Sequence, residues 1–438
     1  MSVVRILILF LAVLLPLRAG AVDVQRVTSP GGIEAWLVED HSNPVVALRL
    51  AFLGGSELDP ADRQGLANLA ASTIDEGAGD LDSRAFQQIL ADEAITLRFD
   101  AGRDVFAGRV YALTETFGGA MNLLRLALTQ PRFDAEPVER IRSQILSNIR
   151  SDGEDPDTVA FDALLAGLFP GHGYARRADG TEDTVKALTR EDLHAFVRSR
   201  FARSNLRIGV SGDVTPERLA ELLDKTFGGL PERPSVKPLL DIEPQATGRL
   251  RVIDMDVTQS ALVMGHGAMK RDHPDYYAAL VMNHVLGGGS FTSRLYDEVR
   301  EKRGLAYSVG SSLYPLDAAG LIVASAGTEN ARVAETLTII HEQWARMAAG
   351  EVTEQELRDA KTYLTGSFAL HLTSTDAVAT MLRAMQLSHL DIDYLDKRNG
   401  YIDAVTLDDV KRVAKAYLAP DKLDVVVVGR PEGVTERP

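Results

Sequence analysis

Arg300 and Tyr307 bound the segment REKRGLAY, which follows the glycine-rich run LGGGSFTSRLYDEV. A charged, helix-like stretch stops at Gly304, and Tyr307 opens a strand seven residues beyond Arg300. One residue is a permanently charged fork of N–H donors and the other a phenolic donor on a rigid ring. Taken alone, Arg300 reads as a solvated helix residue near Asp297 and Tyr307 as a half-buried strand residue. The weight the pair deserves depends on what other chemistry the chain carries, and that is little. None of the nine histidines has a partner at His-x-x-x-His spacing, and His341-Glu342 is followed by Ala345 and Arg346 where a second ligand would stand. His284 sits among apolar residues and reads as a core or cavity-wall histidine. GGGSFTS lacks the Gly-Lys-Ser/Thr ending of a phosphate-binding loop, and no Gly-x-Ser-x-Gly elbow is present.

The elements that must position these residues come in two sets. TREDLHAFVRSRFARSNLRIGVSG, from Thr189, and TLDDVKRVAKAYLAPDKLDVVVVG, from Thr406, superpose without a gap at an offset of 217 residues. Each opens on a capping box, Thr189 with Asp192 and Thr406 with Asp409, runs on as an amphipathic helix, and ends in a strand closed by glycine. SRAFQQIL from Ser83 and SRLYDEVR from Ser293 repeat at an offset of 210. In both halves two strands precede two helices, a strand pair and further helices. This predicts an α+β fold of two homologous repeats, each a mostly antiparallel sheet with helices packed on one face, together forming half of a clamshell. The expected boundaries are 22–230 for the N-terminal repeat, 231–246 for a proline-rich linker, and 247–438 for the C-terminal repeat that holds Arg300 and Tyr307.

Residues 1–21 read as a cleavable secretory signal: MSVVR, an apolar run of about a dozen residues, and AGA ending at Ala21. The run is short for a spanning helix, so no membrane span is expected after cleavage, with a retained anchor as the alternative. The chain has no cysteine, which excludes disulfides, thiolate metal ligands and a cysteine nucleophile. Export, size and the lack of disulfides together suggest a bacterial periplasm. A net charge of −15 without a Lys/Arg cluster argues against nucleic acid.

Three stretches resemble the insulinase/pitrilysin family, in particular its short two-repeat members of the mitochondrial-processing-peptidase type. They are GSELDPADRQGLANLAAST, the segment from Asp155 to Leu193, and SRLYDEVREKRGLAYSV. Active members of that family carry His-x-x-Glu-His on the first of these helices. Two histidines at i and i+4 share one helical face and grip zinc, and the glutamate acts as general base. Aligned on Gly-Leu-Ala, the corresponding positions are Asn68, Ala71 and Ser72, while the acidic third-ligand region reads Ser147-Asn148. The resemblance therefore implies a member without its own zinc.

It also implies a role for the pair. In split members of the family one chain bears the zinc motif and its partner supplies an Arg/Tyr pair, and Arg300 and Tyr307 fall on that pair. Gly287, Gly288, Gly289 and Ser290 would then lie beside the substrate backbone, and zinc would be held by a homologous partner subunit acting on short or unfolded peptides. The alternative is a catalytically inert, peptide-binding or scaffold protein. A self-sufficient peptidase is contradicted by the missing ligands.

Overall fold

The computed structural model describes residues 23–437, so the proposed signal and its cleavage point at Ala21 lie outside the described residues. Strands β1 (Gln25–Thr28), β2 (Glu34–Glu39), β3 (Val45–Leu53), β4 (Thr96–Ala101), β5 (Val105–Leu113) and β6 (Leu206–Gly212) form one sheet, in the order β1-β2-β6-β3-β5-β4. The second repeat supplies β7 (Leu250–Ile253), β8 (Gln259–Gly267), β9 (Ala306–Pro315), β10 (Gly320–Glu329) and β11 (Asp424–Val428), in the order β7-β11-β8-β10-β9. Pairing is antiparallel except where β6 joins β2 and β11 joins β7, so both sheets are mixed.

Strand alternation explains the layering. Val46, Leu48, Leu50 and Phe52 of β3 enter the first core with Phe106 and Val110 of β5. The helices Leu66–Thr73, Phe117–Thr129 and Arg190–Arg200 cover that face. Both expected capping boxes close: the Asp192 carboxylate accepts from the Thr189 amide at 2.8 Å, and Asp409 from the Thr406 amide at 3.0 Å. The short Asp side chain replaces the usual Glu without loss of either bond.

One expectation needs correction. Helices do not pack on one sheet face only, because each repeat sends a helix across to the other sheet. Pro156–Leu168 lays Ala160, Leu164, Leu165 and Leu168 against Ala261 and Val263 of β8, Leu321 and Val323 of β10, and Val426 and Val428 of β11. In return Thr375–Leu387 lays Val378, Leu382 and Met385 beside Trp36 of the first sheet. This explains the unbroken run of valines in β11. Val425 and Val427 face the second core while Val426 and Val428 face the visiting helix, so all four are buried.

The exchange is fixed by polar contacts. Arg49 on β3 donates from Nε to Asp376 at 3.0 Å and makes a second, closer bond to the other carboxylate oxygen. The Gln386 amide donates to the Ile208 carbonyl at 2.7 Å, beyond the point where β2 stops pairing with β6. Residues 231–246 contain no helix or strand, and their C-terminal part is pinned: Ile242 donates to the Ala318 carbonyl and Gln245 to that of Leu168, both at 2.8 Å.

A polar junction ties the β4–β5 turn to the β9–β10 turn. Tyr174 donates to Asp104 at 2.5 Å and accepts from the Ala318 amide at 3.0 Å, while the Asp317 amide reaches the other Asp104 oxygen at 3.1 Å. Nearby, Arg200 and Asp59 form an ion pair at 2.9 Å, with side chains 3% and 1% exposed. Asp59 also accepts from the Ala67 amide, which holds the start of the helix Leu66–Thr73.

Candidate functional site

The helix preceding Arg300 is irregular. Its turns widen to π-helical spacing over Tyr296–Glu301, and the chain leaves it at Gly304, whose φ of +58° suits glycine. The amide of Gly304 closes on the Arg300 carbonyl and that of Leu305 on the Val299 carbonyl, at 2.8 and 2.9 Å. The chain then enters β9 through a bulge. Ala306 opposes Thr328 and Ser308 opposes Gly327, so Tyr307 faces no residue of β10. The bulge turns the ring out to 77% exposure and frees its carbonyl from the sheet ladder.

Arg300 takes up that carbonyl. Its Nη1 donates to the Tyr307 oxygen at 2.7 Å, and its guanidinium lies 4.7 Å from the Tyr307 ring centroid and 5.0 Å from that of Tyr296. The expectation of an Asp297 neighbour is not what holds it. Lys302 pairs with Asp297 and Glu298, Arg303 pairs with Glu298, and Arg300 makes no ion pair among the described residues. The two predicted residues therefore form one unit, and both line an open cavity of about 400 Å³ together with Gln259, Glu301 and Glu329. Tyr296 was missed by sequence reasoning, although its i, i+4 spacing from Arg300 was the available signal.

The glycine run behaves unevenly. Gly287 is buried, and a Cβ there would meet the Ser311 amide at 2.5 Å, so the close approach it permits is that of β9. Gly289 is buried against His284, whose ring lies 5.0 Å from that of Tyr363. Gly288 and Ser290 are exposed, Ser290 at a φ of +46°.

On the first repeat, Asn68 and Asn148 come together around a cavity of about 200 Å³ with Ile145, Ser151, Asp152 and Asp179. Asn68 donates to Asp179 at 2.9 Å. Burial, with Asp152 adding repulsion, raises the Asp179 carboxyl above its ordinary range. Ala71 is packed in the first core and Ser72 is half-buried away from this cavity; Ser147 is exposed. A catalytic zinc site needs about three nitrogen, sulfur or carboxylate ligands. Two amides (Asn68 and Asn148) and a hydroxyl (Ser72) stand where these would be, Ala71 takes the place of the base, and the Asn68 amide is already engaged, so the residues at these positions do not fit zinc.

Similarity to known proteins follows the two repeats. Residues 35–182 match the model of insulinase (peptidase family M16), and residues 187–364 match the peptidase M16 inactive domain. The chain belongs to the M16 insulinase family. Among its M16 relatives, the non-peptidase homolog YmxG of Helicobacter pylori is 27% identical, over 96% of this chain and 97% of that protein. The probable mitochondrial-processing peptidase subunit beta of Schizosaccharomyces pombe is 28% identical, over 87% of this chain and 86% of that one. A crystal structure of a peptidase M16 inactive domain from Pseudomonas fluorescens superposes with a TM-score of 0.87 at 29% identity, covering 95% of this chain and 99% of that chain. Within this M16 architecture, the Arg300–Tyr307 unit belongs to the repeat matched by the inactive-domain model, and the Asn68 cavity to the repeat matched by the peptidase model.

Proposed function

We propose that this M16 chain is the non-zinc-binding subunit of a heterodimeric periplasmic metallopeptidase. A homologous partner carries His-x-x-Glu-His and zinc, and this chain supplies Arg300 and Tyr307 to the shared site. The observation that carries the reading is the asymmetry between repeats: oriented, solvent-facing donors on one, and a degenerate metal position on the other. Hydrolysis at a partner's zinc develops negative charge on the scissile carbonyl oxygen. A guanidinium held between two tyrosine rings and a phenol aimed by a bulge are prepositioned donors for that charge. Gly288 and Ser290 are the exposed members of the run proposed to contact substrate. Short or unfolded peptides are the proposed substrates, because a chamber between two clamshell halves excludes folded ones. The placement in the periplasm rests on the N-terminal pattern and the absence of cysteine.

A second reading, an inert peptide-binding or scaffold protein, is favoured by the similarity to a relative named a non-peptidase homolog. Co-expression with a homologue bearing His-x-x-Glu-His separates the two. The subunit reading expects a stable complex that hydrolyses peptides. A complex without hydrolysis supports the scaffold reading, and the absence of any complex removes the subunit reading.

A further inference from the structure

Three arginines stand side by side on the face of the first sheet that looks away from its core. Arg98 of β4 opposes Arg109 of β5, and Arg109 opposes Arg49 of β3. Like charges directly opposed across strands are destabilising, and neighbouring strands lie only about 4.8 Å apart. Two members of the row have protein partners. Arg49 is held by Asp376, and Arg98, 63% exposed, reaches Asp75 at 3.4 Å. Arg109 has none among the described residues, and its Nε is buried without an acceptor. Arg383, on the crossing helix that borders the row, has a second buried Nε without an acceptor among the described residues; the charges around it are Asp100, Asp376 and Arg49.

Next to the row on β5 and β3 come Ala107 and Ala51 on one side and Tyr111 and Ala47 on the other; the three alanines are buried, so the opening lies at Arg109 and Tyr111. Arg109, Tyr111 and Ser211 line a cleft of about 1030 Å³ beside the start of the crossing helix. The acids of this cleft are engaged elsewhere or lie at its rim: Asp376 with Arg49, Glu39 with His41, Asp40 with the Ser42 amide, and Asp23 exposed at the mouth.

We propose that Arg109, with Arg98 beside it, binds the carboxylates of an acidic, extended peptide segment. Guanidinium forks match carboxylates two N–H groups at a time. Alternate residues of an extended peptide stand about 7 Å apart, within the span of roughly 10 Å from Arg98 to Arg49. A single small anion would engage only part of that row. The inference goes beyond the proposed function: this cleft shares no lining residue with the Arg300–Tyr307 cavity, and binding here requires neither turnover nor a partner.

The test is calorimetric titration of the full mature chain at low salt. The probes are Ac-Ala-Glu-Ala-Glu-Ala-Glu-Ala-NH₂, its glutamine counterpart, and inorganic phosphate. The glutamate peptide should bind at least about 10-fold more tightly than the glutamine peptide and weaken with added salt. Arg109→Gln should remove most of that difference and Arg109→Lys part of it, whereas Arg84→Gln, on an exposed helix position, should leave it intact. Because Arg109 faces like charge, Arg109→Gln should melt no lower than the parent chain. Equal binding of the two peptides, an unaffected Arg109→Gln variant, or phosphate competing as well as the glutamate peptide would each overturn the proposal. So would a melting loss of several degrees in Arg109→Gln, which would mark a structural arginine. Failure here leaves the Arg300–Tyr307 reading standing, since that depends on hydrolysis with a partner.

Discussion

Gly209 and Ala379 touch across the boundary between the repeats: a Cβ on Gly209 would stand 2.4 Å from the Ala379 carbonyl oxygen and 2.8 Å from Leu382 Cβ. The crossing helix thus seats directly on the β6 backbone, and the fold depends on the absence of a side chain there. Gly209→Val should lift the helix and cost at least the 1–3 kcal/mol typical of overpacking. Its melting temperature should fall, and limited proteolysis should cut near residues 367–374. Unchanged melting would mean that the helix is not seated as described.

Breaking the Arg49–Asp376 contact should loosen the same helix without overpacking it. Asp376→Ala leaves the half-buried Arg49 without its carboxylate, and losing one partner of a charged hydrogen bond costs about 1–3 kcal/mol. Combined with Arg49→Met, part of that loss should return, because no cation is then left stranded. A double-mutant cycle in urea checks this, and strict additivity would show the pair to be uncoupled.

For the proposed subunit, Arg300→Ala and Tyr307→Phe should leave folding and assembly intact. Removing one prepositioned donor typically lowers the rate by about 10²–10³, mostly in kcat. Tyr307→Phe keeps the ring that stacks on Arg300 and removes only the hydroxyl, so it separates donation from packing. Near-normal turnover by both variants with the zinc-bearing partner would make the pair structural and favour the scaffold reading.

The buried Glu57 carboxyl should cost the fold stability as pH rises from about 4.5 to about 8. Burial, with the charge of Asp104 adding repulsion, pushes its carboxyl from 4.5 up to about 8, and its Oε2 is buried with no partner among the described residues. The folded chain therefore prefers the protonated form. That contribution is complete below about pH 4.5 and is lost as pH rises through about 8. Glu57→Gln, which cannot ionise, should melt like the parent chain at pH 5 and at least about 2 °C higher at pH 8.5. Equal shifts at both pH values would contradict this account.

Chelation offers a further check on the Asn68 cavity. Dialysis of the isolated chain against EDTA should leave its melting temperature unchanged within about 1 °C, because a ligand that binds only the folded state would otherwise raise it measurably. A clear downward shift, or one zinc per chain by metal analysis, would show that a site has formed from other donors.

The repeat, its capped helices and the Arg300–Tyr307 spacing were legible in the sequence because they are local. A capping box spans three residues, an amphipathic helix declares its period, and β9 begins and ends where its residue types change. The positions proposed as degenerate metal ligands came instead from the family resemblance, aligned on the local Gly-Leu-Ala match. Only the tertiary structure decided the exchange of Pro156–Leu168 and Thr375–Leu387. Their apolar faces say that each must be buried but not against which sheet, and burial is non-directional. The arginine row was equally hidden. Arg49, Arg98 and Arg109 are scattered along the sequence, and they become neighbours only when the register of β3, β4 and β5 is fixed by the core residues that alternate with them.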